Sequence, residues 1–128
     1  MEYLFKENSV EASLNHGTLT VSRDEEIGFR PYELLVSSIA GCSGSVFKQI
    51  FEKQRMDVKE FKITTKVERN EKKANRIEKI ILTFHLKGTN LNEEKLRKNL
   101  TISQKNCSMV QSVQGAITIE ENLEIQNV

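Results

Sequence analysis

Two cysteines, Cys42 and Cys107, stand 65 positions apart in a chain of 128 residues. A thiol becomes a reagent as its thiolate, and a thiolate needs nearby positive charge or unpaired backbone N–H groups. Four chemistries are open to such a pair: a permanent disulfide, two packing thiols, a redox couple, or part of a metal site. The metal site would have to recruit His16 and His85, and none of these four residues is paired with another at the close spacing of familiar zinc sites. A permanent disulfide suits an oxidising compartment. The opening MEYLFKENS carries Glu2 and Glu7 and lacks the apolar run of a secretory signal. No later stretch approaches the roughly 18 consecutive apolar residues of a membrane span, so a cytoplasmic protein is expected. Core thiols and a redox couple then remain, and cysteine is among the most frequently buried residue types.

Two further side chains bear on a thiolate. Glu33, in the first turn of a helix opening at Pro31, is by default a capping and helix-dipole carboxylate. Beside Arg30 it has a second use, because a carboxylate can steady the guanidinium fork, and the fork can neutralise a thiolate and polarise a bound O–O group. Arg30 is the first candidate for that cation and Arg23 the second.

The elements that must position these groups follow from periodicity. Val10, Ala12 and Leu14 alternate with polar neighbours, Asn15-His16-Gly17 offers turn chemistry, and Leu19 and Val21 resume the alternation, which predicts a hairpin. Asp24 to Gly28 reads as a loop leading to Pro31, the one proline of the chain, and proline at the first helical position loses no needed donor. From Pro31 to about Gln54, the residues Leu35, Ile39, Cys42, Val46 and Ile50 recur at helical spacing and predict a buried stripe that includes Cys42. Gly41 and Gly44 each cost about 1 kcal/mol of helix propensity relative to Ala, so something is expected to pack close to them.

Two strands follow, one facing the core with Phe61, Ile63, Thr65 and Val67, the next with Ile80, Leu82, Phe84 and Leu86, joined by a charged turn over Asn70 to Asn75. Asn90-Leu91-Asn92-Glu93 resembles a capping box opening a second helix, with Leu96 and Leu100 on its apolar face. Weak helix formers at Thr101, Ile102, Ser103 and Asn106 predict a break just before Cys107. A new helical segment there would offer unpaired N–H groups to that thiol, with Lys105 close in sequence. Gly115 suits a helix stop, and Ile117 and Ile119 open a closing strand.

The bulk properties fit one domain over residues 1–128. With 19 basic and 18 acidic side chains the formal charge is +1, so no global field would draw the chain to nucleic acid or to an anionic membrane. The locally basic segment Lys66 to Lys79 has no interleaved aromatic residues and reads as a solvated hairpin. The partner expected is a small molecule.

The run Arg30-Pro31-Tyr32-Glu33-Leu34-Leu35-Val36-Ser37-Ser38-Ile39-Ala40-Gly41-Cys42 resembles the helix-opening signature of the OsmC/Ohr family, in which Pro-x-Glu-Leu-Leu leads to Ala-Gly-Cys or Ala-Ala-Cys. Cys107, after a helix and before the last strand, is similar to the family's second cysteine, and the order of elements agrees over nearly the whole chain. The resemblance implies an α+β fold of antiparallel sheets wrapped around two central helices in an intertwined homodimer, with active sites at the subunit interface. It also implies a thiol-dependent peroxidase for organic hydroperoxides, without metal or organic cofactor. Cys42 would be the attacking thiol, Cys107 the resolving thiol, and a dithiol, of lipoyl type for example, the reductant; the family's arginine lies outside the matched motif, so Arg30 and Glu33 stand as helpers on their own chemistry alone. Against this stands a non-catalytic dimer of the same fold that binds a small apolar or electrophilic molecule at its interface. The chain departs from the pattern at Tyr32, where organic-hydroperoxide-resistance members place a glutamate directly after the proline, and at Ser108, where the family has Cys-Pro.

Overall fold

The computed structural model describes all 128 residues. The chain separates into two compact units, Met1–Ser37 and Ser38–Val128.

In the first unit, strands β1 (Glu2–Phe5), β2 (Val10–Ser13) and β3 (Thr18–Val21) form an antiparallel sheet in that order. The expected hairpin is β2 and β3, with Ala12 opposite Leu19. Sequence patterning misses β1, where Glu2 to Phe5 places three large apolar residues in succession and gives no alternation. Tyr3, Leu4 and Phe5 are all exposed. Asp24 to Gly28 is a loop, as expected, and its Asp24 carbonyl accepts from the N–H groups of Ile27 and Gly28. Pro31 is the first residue of helix α1 (Pro31–Lys53).

The second unit carries the sheet β4 (Asp57–Asn70), β5 (Arg76–Thr89) and β6 (Thr118–Asn127), in that order, and the helices α2 (Glu93–Asn106) and α3 (Ser108–Ser112). Strands β4 and β5 are a long antiparallel hairpin, turned by Ala74 and Asn75 at positive φ. The β5–β6 pairing is parallel, which corrects the expectation of antiparallel sheets throughout. The cause is the connection: α2 and α3 return the chain to the end of the sheet where β5 began, so β6 runs alongside β5 rather than against it. The mixed α+β class stands.

The core sits where α1 meets this sheet. Ile80, Leu82 and Phe84 are fully buried and Leu86 nearly so, as their period-two spacing requires. Phe47 is fully buried, with its ring centroid 5.1 Å from that of Phe84 and 5.5 Å from that of Phe61, and Phe51 closes the cluster at 5.7 Å from Phe61. These are the edge-on and tilted arrangements that aromatic quadrupoles favour. The face of α1 that packs is therefore Val36, Ile39, Ser43, Phe47 and Phe51. The expected stripe shares only Ile39 with it. Leu35 is exposed, and Cys42, Val46 and Ile50 are half-buried, because the phenylalanines and not the aliphatic row supply the area the sheet covers. Helix α1 thus has two adjoining apolar faces. This also explains why α1 is long and apolar enough by length and composition to cross a membrane, which the sequence reading did not find. Its window is rich in Ser and Gly rather than continuously aliphatic.

Gly44 bears out the expected close packing, since a Cβ there would lie 2.8 Å from Ile63 Cδ1. Gly41 has nothing within 4 Å of its notional Cβ. At the far end of α1, Gln54 and the buried Asn99 of α2 exchange two amide hydrogen bonds, at 3.0 and 2.7 Å. That satisfies both side chains and ties α2 to α1. The N-cap of α2 is Asn92, whose side chain accepts from the Lys95 N–H, two residues later than the capping-box reading placed it. Asn90 instead takes a positive φ of 53° in the turn before it.

Candidate active site

The predicted break in the second helix is real: α2 ends at Asn106, Cys107 is extended at φ −86° and ψ 112°, and α3 begins at Ser108. Gln104 anchors the end of α2 by donating from its side-chain amide to the Ile119 carbonyl of β6 at 3.3 Å. The geometry makes Cys107 the N-cap of α3, and its sulfur accepts from the Val110 N–H at 3.5 Å. Its side chain is fully buried.

Cys42 is half-buried on α1 and meets the start of α3. Its sulfur lies 3.8 Å from the Ser108 hydroxyl. A hydrogen bond from Cys107 holds Cys42 below the ordinary thiol range, and the Met109 backbone N–H adds to it; burial opposes them, and the hydroxyl and N–H of Ser108 contribute further. Cys107 moves the other way. Burial pushes it up first, and its bond to Cys42 and the negative charge of that thiolate push it further, against the backbone N–H groups of Val110 and Met109. The expectation that a helix start would activate Cys107 is thus corrected. The backbone donors are present, but desolvation of a fully buried sulfur outweighs them, and part of their effect falls on Cys42 instead.

The sequence reading missed two residues. Ser108, noted there only as a departure from Cys-Pro, supplies a hydroxyl and an N–H at the Cys42 sulfur. A proline would bring neither. Glu121 lies on the core-facing side of β6 between Ile119 and Leu123, opposite Leu82. Its Oε2 accepts from the buried Ser43 hydroxyl at 3.0 Å, while its Oε1 is buried without a partner. Burial holds its carboxyl above the usual range, and the Ser43 bond offsets part of that. The strand alternation, with Glu121 two residues from each of Ile119 and Leu123, was the available signal.

The other candidates lie as follows. In the first unit, Arg30 pairs with Glu25 at 3.5 Å and with Glu33 at 3.8 Å, and its guanidinium carbon sits 4.8 Å from the centre of the Tyr32 ring. Glu33 does stand beside an arginine, in a partly exposed ion pair of the kind that adds little stability by itself. Arg23 lines a cavity of about 580 Å³ in that unit, together with Phe5, Lys6, Asp24 and Pro31. His85, on β5, has both ring nitrogens engaged, at 2.8 Å from Thr64 Oγ1 and 3.1 Å from Glu124 Oε2.

A site built from two thiols at the junction of a long helix with the start of a short one, on an α+β frame, defines a cysteine-pair protein. Comparison with known proteins gives the family. The model of the family described as OsmC-like protein matches residues 23–122, and the chain belongs to that family. Among solved structures, a hypothetical protein from Aquifex aeolicus VF5 is 26% identical, with a TM-score of 0.88 over 99% of this chain and 95% of the other. An OsmC-like protein from Mycoplasma pneumoniae is 16% identical, with a TM-score of 0.80 over 92% and 89%. A protein from Legionella pneumophila, described as an organic hydroperoxide resistance protein OsmC, predicted redox protein, regulator of sulfide bond formation, is 15% identical, with a TM-score of 0.69 over 96% and 93%. The last two likenesses carry the fold alone. None of the curated proteins compared with the chain matches it by sequence.

Proposed function

We propose that this protein is a cysteine-based peroxidase that reduces organic hydroperoxides, with hydrogen peroxide as a further substrate, through a two-thiol cycle in defence against oxidative stress. The observation that carries the proposal is the opposed pair: a half-buried Cys42 held toward its thiolate and a buried Cys107 that donates to it.

In the first step the Cys42 thiolate attacks one peroxide oxygen. An S–O bond forms, the O–O bond breaks, sulfur loses two electrons to become a sulfenic acid, and the departing alkoxide takes a proton to leave as the alcohol. Cys42 is then no longer an anion, so one of the influences that held Cys107 protonated is gone. Cys107 sulfur attacks the sulfenic sulfur, a disulfide forms, and hydroxide departs with the thiol proton as water. A small dithiol, a lipoyl-type group for example, restores both thiols by exchange and is itself oxidised to its disulfide. For Arg30 and Glu33 this reading keeps the role their pairing suggests, a guanidinium steadied by a carboxylate that polarises the O–O bond. An Arg30→Ala variant with undiminished turnover would remove it.

The working unit is a homodimer in this reading, in the cytoplasm. Its support is the second apolar face of α1, with Leu35 exposed and Val46 and Ile50 half-buried, and the exposed Tyr3, Leu4 and Phe5 of β1. The rival, a binding protein with inert thiols, calls for an unperturbed Cys42 and is disfavoured by the donors gathered at that sulfur. To test the peroxidase, a Cys107→Ser variant is treated with one equivalent of cumene hydroperoxide and then dimedone. Mass spectrometry should find the adduct on Cys42, and a Cys42 that stays unmodified would contradict the reading.

A further inference from the structure

Ser108 stands where its hydroxyl can act on the reacting sulfur. The Oγ to Sγ distance is 3.8 Å, a long contact but one that the larger sulfur atom allows as a hydrogen bond. With Cys42 as a thiol either atom could donate. With Cys42 as a thiolate the sulfur has no proton, and the hydroxyl must be the donor. The Ser108 backbone is fixed at the start of α3, where its carbonyl accepts from the Ser112 hydroxyl at 2.7 Å.

We propose that Ser108 is a catalytic residue of the thiol site, whose hydroxyl donates to the Cys42 thiolate and keeps it reactive independently of Cys107. The proposal rests on the peroxidase reading for its purpose, but not for its geometry. It answers a difficulty in that reading. Cys107 supports the Cys42 thiolate by donating its proton, yet the same sulfur must give up that proton to resolve the sulfenic acid. One group cannot be both permanent donor and consumed nucleophile. Ser108 is not consumed, so Cys42 retains a side-chain donor at its sulfur when Cys107 is engaged elsewhere, and again when Cys42 departs as a thiolate during reduction of the disulfide. Proline at this position would offer neither the hydroxyl nor an N–H, so the Cys-Ser sequence adds donors to the attacking sulfur.

The test uses iodoacetamide and no peroxide, so its outcome is separable from that of the peroxidase assay. The rate of Cys42 alkylation, assigned by mass spectrometry, is followed from pH 5 to 10 in the wild type and in the Ser108→Ala, Ser108→Thr and Cys107→Ala variants. Ser108→Ala should shift the Cys42 profile to higher pH and slow alkylation at neutral pH by roughly three- to tenfold, the range expected for loss of one ordinary side-chain hydrogen bond. Ser108→Thr, which keeps the hydroxyl, should restore the wild-type profile. Ser108→Ala introduced into Cys107→Ala should produce a further shift of similar size. Ser108 is exposed, so truncation leaves the core intact, and circular dichroism checks the fold; a Ser108→Gly variant provides the same loss if the alanine form is unstable. An unchanged profile in Ser108→Ala, or an equal loss in Ser108→Thr, would overturn the proposal.

Discussion

The Cys107 thiol beside Cys42 lowers the Cys42 thiol, and the same neighbour adds to the burial that raises Cys107, so the two move in opposite directions. The pair is therefore unequal before any substrate arrives. The half-buried sulfur is the one shifted toward its thiolate, and the fully buried one is held as the thiol.

Replacing Cys107 separates its two jobs. Cys107→Ala removes the largest influence that lowers Cys42, so alkylation of Cys42 should move to higher pH and slow at neutral pH by about tenfold. Cys107→Ser keeps a donor at the site and should show a smaller shift. In the wild type at neutral pH, Cys42 should be alkylated well before Cys107, which stopped-flow alkylation with peptide mapping resolves.

Glu121 makes stability depend on pH with a definite sign. Its carboxyl is raised in the folded protein, so the folded state holds that proton more tightly than the unfolded chain. The contribution to stability is fully present below the unfolded value of about 4.3 and is lost as pH rises through the folded value. Glu121→Gln has no proton to lose. Relative to the wild type it should gain a few degrees of melting temperature at pH 8, and the advantage should disappear or reverse near pH 4. Calorimetry at the two pH values checks this, and a constant difference between the two proteins would mean that Glu121 is ordinary.

Gly44 should tolerate one methyl group and no more. A Cβ would meet Ile63 Cδ1 at 2.8 Å, the movable end of a side chain, and the gain of about 1 kcal/mol in helix propensity offsets the shift required. Gly44→Ala should stay within about 1 kcal/mol of the wild type. Gly44→Leu has no space between α1 and β4 and should cost about 1–3 kcal/mol, read from urea unfolding.

Local pattern exposed the elements more readily than their contacts. Alternation in Ile80, Leu82, Phe84 and Leu86 located a core strand, Pro31 located a helix start, and weak helix formers before Cys107 located a break, because each feature acts over a few residues. The packed face of α1 was not legible in the same way. Two apolar rows run along this helix, and only the sheet decides that Phe47 and Phe51 face inward while Cys42 stays half-exposed. The parallel β6 was hidden for a similar reason, since strand direction is set by the intervening helices. At the site, the motif marked Cys42 and order along the chain marked Cys107. The Cys42–Cys107 pairing, the Ser108 contact and the Ser43–Glu121 bond join residues 65 to 78 positions apart and have no local signature.

The most direct measurement is consumption of cumene hydroperoxide by the fully reduced protein in the presence of a small dithiol such as dihydrolipoamide. Reduced wild-type protein should turn over catalytically, Cys42→Ser should have no activity above buffer, and Cys107→Ser should complete a single reduction with the dithiol withheld, leaving Cys42 oxidised. A wild-type protein that consumes no hydroperoxide with any dithiol, or a Cys42→Ser variant that matches it, would contradict a Cys42-based peroxidase.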